Sequence, residues 1–70
     1  MTHNVAKVIE IVGTSDSGIE DAIRGAVQRA SQSLDNLQWF QVTEIRGSLE
    51  GDQVKRFQVL MKVGFGLNEG

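Results

Sequence analysis

The chain reads as an α+β fold of the order β-α-β-β, with a three-stranded antiparallel sheet in the order 1-3-2 and one amphipathic helix packed on it. Three observations predict this. Phe57, Val59, Met61, Val63 and Phe65 alternate with Arg56, Gln58, Leu60 and Lys62, which is the period of a half-buried strand and fixes the core face. Ile19, Ala22, Ile23, Ala26, Val27, Ala30 and Leu34 recur at three- and four-residue spacing, the apolar stripe of one helix. That helix reverses the chain, so the strands before and after it run the same way. A hairpin turn at Glu50-Gly51-Asp52 then brings the last strand back between them.

The first strand is predicted over Asn4–Val12, a stretch rich in β-branched residues. Its apolar side chains fall on both faces, Val8 and Val12 on one and Ile9 and Ile11 on the other. A single helix covers only one face of a sheet, so a second subunit is expected on the other. Gly13-Thr-Ser-Asp-Ser-Gly18 reads as a turn into the helix, with Ser17 and Glu20 in the spacing of a capping box and Glu20 and Asp21 on the positive end of the helix dipole. The helix is expected from about Gly18 to Ser33, with Gly25 allowing close approach to the sheet and Asp35-Asn36 turning the chain. The second strand runs from Leu37 to about Leu49, and the third from Gln53 to about Phe65, leaving Gly66–Gly70 as a loose tail. In the second strand Phe40 and Val42 share the core parity but Ile45 does not, which a bulge near Thr43-Glu44 reconciles.

Seventy residues make one small domain. Such a chain buries roughly 60 % of its unfolded surface. Its own core typically supplies no more than about 3–5 kcal/mol. The chain has no cysteine and one histidine, His3, so disulfides, thiolate metal sites and multi-histidine sites are excluded as staples. Association between subunits is the remaining route. Seven basic and nine acidic residues are scattered without a basic run, which argues against nucleic acid as a partner. No signal-peptide pattern and no apolar run long enough for a bilayer is visible, so a soluble, cytoplasmic protein with no membrane partner is expected.

Catalytic patterns are weak. Gly13-x-x-x-x-Gly18 has the glycine spacing of a phosphate loop, but Ile19-Glu20 stands where Lys-Ser/Thr belongs. Gly64-Phe-Gly66 lacks the third glycine and following helix of a dinucleotide fingerprint. Any serine–histidine pair must use His3 near the terminus, and no spacing selects Glu10, Glu20 or Glu44 as an acid–base pair.

The distinctive residue is Trp39, the only tryptophan. With Phe40 and Val42 turned to the core, Trp39 faces away beside Gln41 and Thr43, and so large an apolar side chain requires a cover. That cover is either another chain, for which tryptophan is a common anchor, or a flat ligand. Gln58 also points off the core face, on the strand expected beside that of Trp39. A π platform with a nearby amide suits a flat heteroaromatic ring with hydrogen-bonding edges.

Val8-Ile-Glu-Ile-Val-Gly-Thr-Ser15, Leu37-Gln-Trp-Phe-Gln-Val42, Ile45-Arg-Gly47 and Phe57-Gln-Val-Leu-Met-Lys-Val-Gly-Phe65 together resemble the dodecin family, in order and over nearly the whole chain. The resemblance implies a hollow homododecamer that binds flavin (FMN or riboflavin) for storage and buffering, without turnover. It implies pairs of flavins stacked between two-fold-related tryptophans and quenched by electron transfer. The family's tryptophan falls on Trp39, its ring-contacting glutamine on Gln58, and an arginine common in bacterial-looking members on Arg46. Arg46 either assists a ribityl-phosphate tail by charge-assisted hydrogen bonds or makes a solvated or intersubunit ion pair. Many relatives read Gly-Phe-Arg-Leu where this chain has Gly64-Phe-Gly-Leu67, and some bind coenzyme A, which no residue here decides. Two other readings stand beside the resemblance: a protein-interaction oligomer anchored by Trp39, and a small flavin-dependent redox enzyme.

Overall fold

The computed structural model describes residues 5–67. His3, the predicted strand start at Asn4 and the end of the predicted tail, 68–70, lie outside the described residues. The elements are β1 (Ala6–Ser15), α1 (Ile19–Ala30), β2 (Leu37–Glu50) and β3 (Gln53–Gly66), and the sheet order is β1-β3-β2 with both pairings antiparallel. The expected topology is the observed one.

Alternation in β3 sets the two faces. Val59, Met61 and Val63 are buried beneath α1, with Ala22 as the buried helix contact and Ile9, Ile11, Ile23, Ala26, Val27, Leu37 and Val42 packed around them. The intervening residues of β3, from Gln58 to Gly64, look out on the face that α1 does not cover. The expected bulge is present: the β2–β3 register shifts between Val42 and Glu44, and the Thr43 hydroxyl donates to the Leu60 carbonyl at 3.1 Å. The extra residue returns Ile45 to the parity of Val59. The hairpin closes through Gly51 and Asp52, with Glu50 paired to Gln53 and Gly51 at φ 66°. Glycine takes that positive φ without steric cost.

Four local expectations are corrected. β1 does not stop at Val12 but pairs with β3 through Ser15. Ser17 and Glu20 form no capping box: the helix cap position is Gly18, without a side-chain cap. Instead the buried Ser15 hydroxyl accepts from the amides of Ser17 (2.9 Å) and Gly18 (3.4 Å) and donates to Asp21 Oδ2 at 2.7 Å. An oxygen two residues upstream thus takes the role, because the strand carries Ser15 inward to the start of the helix. The helix ends at Ala30, not Ser33, and Asn36 at φ 65° turns the chain into β2. Gly25 is exposed with nothing near a would-be Cβ; the close approach of helix to sheet is made at Gly13, where a Cβ would run into the Ala22 carbonyl.

The protomer is long, 57 × 20 × 13 Å, with a radius of gyration of 14.7 Å. A compact chain of this length has about 11 Å. The excess comes from the β2–β3 hairpin, which runs past the last β1 pairing at Phe57 as a two-stranded arm. Leu49 (72 % exposed) and Val54 (54 %) are bare on it. An isolated two-stranded ribbon is marginal in water, so this arm is built to be covered.

Candidate functional site

The site grows from a second irregularity in β2. Leu37 pairs with Phe65 and Trp39 with Gly64, leaving Gln38 as the extra residue of a bulge. This sends Trp39 to the open face. There the indole lies over Gly64, where a Cβ would collide with Cε2, Cζ2 and Nε1. Only glycine leaves the ring room to rest on the strand backbone. The indole remains 44 % exposed. It is a plate, backed by the sheet on one side and open on the other. A cleft of about 150 Å³ adjoins it, lined by Val27, Leu37, Gln38, Trp39, Phe40 and Val63.

Phe40 pairs with Val63 on the helix side as its parity requires, yet it is 49 % exposed and not a core residue. β2 is an edge strand, and α1 reaches it only as far as Leu37 and Val42. The expectation of Phe40 in the core fails for that reason, while Val42 meets it.

Gln58 and Arg46 are directly opposite one another on the open face, and Arg46 Nε donates to Gln58 Oε1 at 3.1 Å. Glu44, on the same strand, lies 3.9 Å from the Arg46 guanidinium and offsets its charge. The fold therefore joins Arg46 to Gln58. It does not join either to the indole. Gly64, the partner of Trp39, and Gln58 are six residues apart on β3, about 20 Å at the rise of a strand. One flat ring on Trp39 does not span that distance within a single chain.

The sequence-based reading missed Gln38. Its amide nitrogen sits 2.9 Å from where a Cβ would stand on Gly66, and Asn36 Nδ2 at 3.5 Å. Gly66 shares the face of Gly64, so Gln38 and Trp39, neighbours in sequence, lie side by side over two glycines. Gly64-Phe-Gly66 was the available signal, two small residues on one face of a strand. A larger groove of about 450 Å³, lined by Ile9, Ile11, Val12, Ala26, Ala30 and Leu34 with Arg29 among them, lies between β1 and α1, away from the indole. It is an apolar slot without a convergent polar set.

The Dodecin family model matches residues 5–68. The chain belongs to the dodecin family. It is similar to the dodecin of Thermus thermophilus, at 49 % identity over 65 residues covering 93 % of this chain and 94 % of the relative. The solved dodecin of Streptomyces davaonensis superimposes with a TM-score of 0.91 at 50 % identity, over 97 % of this chain and 100 % of that one. A more distant relative, the calcium dodecin of Mycobacterium tuberculosis, is 34 % identical over 62 residues, 89 % of this chain and 87 % of its own. Among the described residues, α1 covers neither the hairpin arm nor the open sheet face. Among the described residues no three His, Cys, Asp or Glu side chains are grouped to hold a metal ion, and no helix is long and apolar enough to cross a membrane.

Proposed function

We propose that this dodecin binds flavin, FMN or riboflavin, for storage and buffering, as a homododecamer that does no chemistry on its ligand. The observation that carries the reading is the indole of Trp39, half exposed and seated on Gly64 on the sheet face that α1 leaves open. A rigid π plate with its back supported loses little on stacking a flat ring, and a second copy brings a second plate to the other side. Gln58 and Arg46 lie too far along the sheet to serve the same copy's indole, so they belong to a neighbouring copy's ring, as polar contacts at its edge. An indole in contact with an excited flavin donates an electron to it, so the bound ligand is dark and its photochemistry suppressed. Val8, Gly64, Gly66 and Gln38, which lie nearest the plate, carry no nucleophile or titratable group, which fits binding without turnover; Lys62 and Glu10 stand one position further along the face. The cysteine-free chain suits a reducing cytoplasm, where we place this role. Calcium, the ligand in the mycobacterial relative's name, finds no acidic cluster among the described residues here.

Titration of the assembled protein with FMN and with riboflavin is the test, read by loss of flavin and tryptophan emission. Trp39→Ala is expected to weaken binding by about 1–3 kcal/mol, the size of an aromatic stacking contact, and to leave the residual bound flavin fluorescent. Unchanged affinity and quenching in that variant would overturn the assignment. Flavin that leaves tryptophan emission unaltered, with Trp39→Ala breaking the assembly on a sizing column, would make the indole a subunit anchor instead.

A further inference from the structure

We infer that the β2–β3 arm of one copy lies over the slot between β1 and α1 of a second copy, with Leu49 in the slot and Asp52 against Arg29. The inference deepens the assembly part of the reading above and does not depend on flavin. The arm and its root carry Ile45, Leu49 and Val54, each at least half exposed. With Phe57 they gather around one hollow of about 340 Å³. Apolar area in contact with water is costly, more so on a ribbon that is marginal by itself.

The slot supplies what the arm lacks. It measures about 450 Å³, and Ile9, Ile11, Ala26, Ala30 and Leu34 make it apolar. In solution such a groove holds many water molecules, at about 30 Å³ each, against walls that offer them few hydrogen bonds. A branched aliphatic side chain displaces that water at a gain. The arm of the same chain does not reach the slot. It begins where the β1 pairing ends, at Ser15 and Phe57, and runs away from Ile9 and Ile11. The occupant is therefore the arm of another copy.

Charge selects the arm among the exposed apolar surfaces. Arg29 lines the slot, and Asp52 stands at the tip of the arm. Among the described residues neither makes an ion pair, whereas Glu50 on the same turn is held by Lys55 at 3.6 Å. Asp52 is two residues from Val54, about 7 Å at the rise of a strand, so seating Leu49 and Val54 brings it within reach of the guanidinium. Arm and slot are different surfaces of one chain, so the contact is heterologous and closes into a ring rather than a pair. The pairing of Trp39 plates proposed above is two-fold, and the two contacts are separable by mutation.

Sedimentation of the flavin-free full chain, over a range of protein concentrations, is the test. Leu49→Asp is expected to raise the concentration at which the assembly falls apart by about ten- to hundredfold, the worth of one buried leucine. Arg29→Glu and Asp52→Arg are each expected to raise it by at least about tenfold, and the two together to restore it to within about threefold. A role for Arg29 confined to its own helix end gives no such rescue. Assembly unmoved by Leu49→Asp would overturn the inference. So would charge reversal without rescue, or Leu49→Asp breaking an assembly that Arg29→Glu leaves intact, which would seat the arm on another surface. Flavin titration of the unmodified assembly is scored apart: assembly without flavin binding removes the flavin reading and leaves the arm contact standing.

Discussion

The two faces of the one sheet share strands and differ in what finishes them. On the helix side Val59, Met61 and Val63 are 0, 0 and 2 % exposed beneath α1. On the other side Val8 and Val12 of β1 stand 45 and 52 % exposed beside Trp39 at 44 %. The first face is closed over its centre within one chain, with Phe40 and Ile45 half exposed towards the β2 edge. The second mixes Val8, Val12, Leu60 and Trp39 with polar and charged groups, Glu10, Lys62, Gln58 and Arg46 among them, and α1 does not cover it. In the function proposed above, stability and recognition are divided between opposite sides of the same backbone, through the two-residue period of a strand.

The division is broken most severely from the closed side. Met61→Ala removes a fully buried side chain from the centre of the core and leaves a cavity that the sheet backbone does not collapse to fill. The expected loss is about 2–5 kcal/mol. It reads as a lower denaturant midpoint, with flavin quenching per folded protein unchanged. A loss under about 1 kcal/mol would mean that subunit contacts, rather than this core, hold the fold.

Gly64→Ala tests the open side without touching the core. The added Cβ collides with the indole, and because a side chain rotates more readily than a strand shifts, the ring swings off the sheet. Stability is expected to change little. Flavin affinity is expected to fall by about 1–3 kcal/mol, as though the plate had been removed. Full affinity with intact quenching would show that the ring need not rest on Gly64. A large loss of stability instead would show the indole locked there by neighbouring copies.

How much of this was legible in the residues follows the same division. Strand order, helix and core face came from periodicity, because each is a repeated signal: five alternating residues of β3, or six spaced along α1, outvote any one exception. The bulge at Thr43 was legible for the same reason, as a parity conflict between Val42 and Ile45 that one inserted residue resolves. The bulge at Gln38 was not. It falls at the start of β2, where too few residues precede it for a parity to be violated, so Gln38 went unnoticed beside Trp39. Phe40 had the right parity and the wrong burial, since parity gives the side of the sheet but not the reach of the helix above it. Trp39 and Gln58 were foreseen on adjacent strands; the six residues that separate Gln58 from Gly64, the partner of Trp39, were not, because periodicity gives no register.

The smallest effect separates the cap that the sequence pattern suggests from the one the fold uses. Ser15 belongs to the closed face, 8 % exposed, and its hydroxyl bridges the Ser17 and Gly18 amides to the Asp21 carboxylate. Ser15→Ala strips the helix start of its acceptor and leaves Asp21 without that donor, for an expected loss of about 0.5–2 kcal/mol in the range of helix caps. Ser17→Ala removes the serine of the apparent capping box and is expected to fall within about 0.5 kcal/mol of the unmodified protein, since the structure gives its hydroxyl no capping bond. Urea midpoints for the two variants decide between the positions. A larger cost at Ser17 would reinstate the capping box and detach the helix start from the sheet. A larger cost at Ser15, with flavin binding untouched in both variants, ties the start of α1 to the strand that carries the core and keeps it out of the business of the open face.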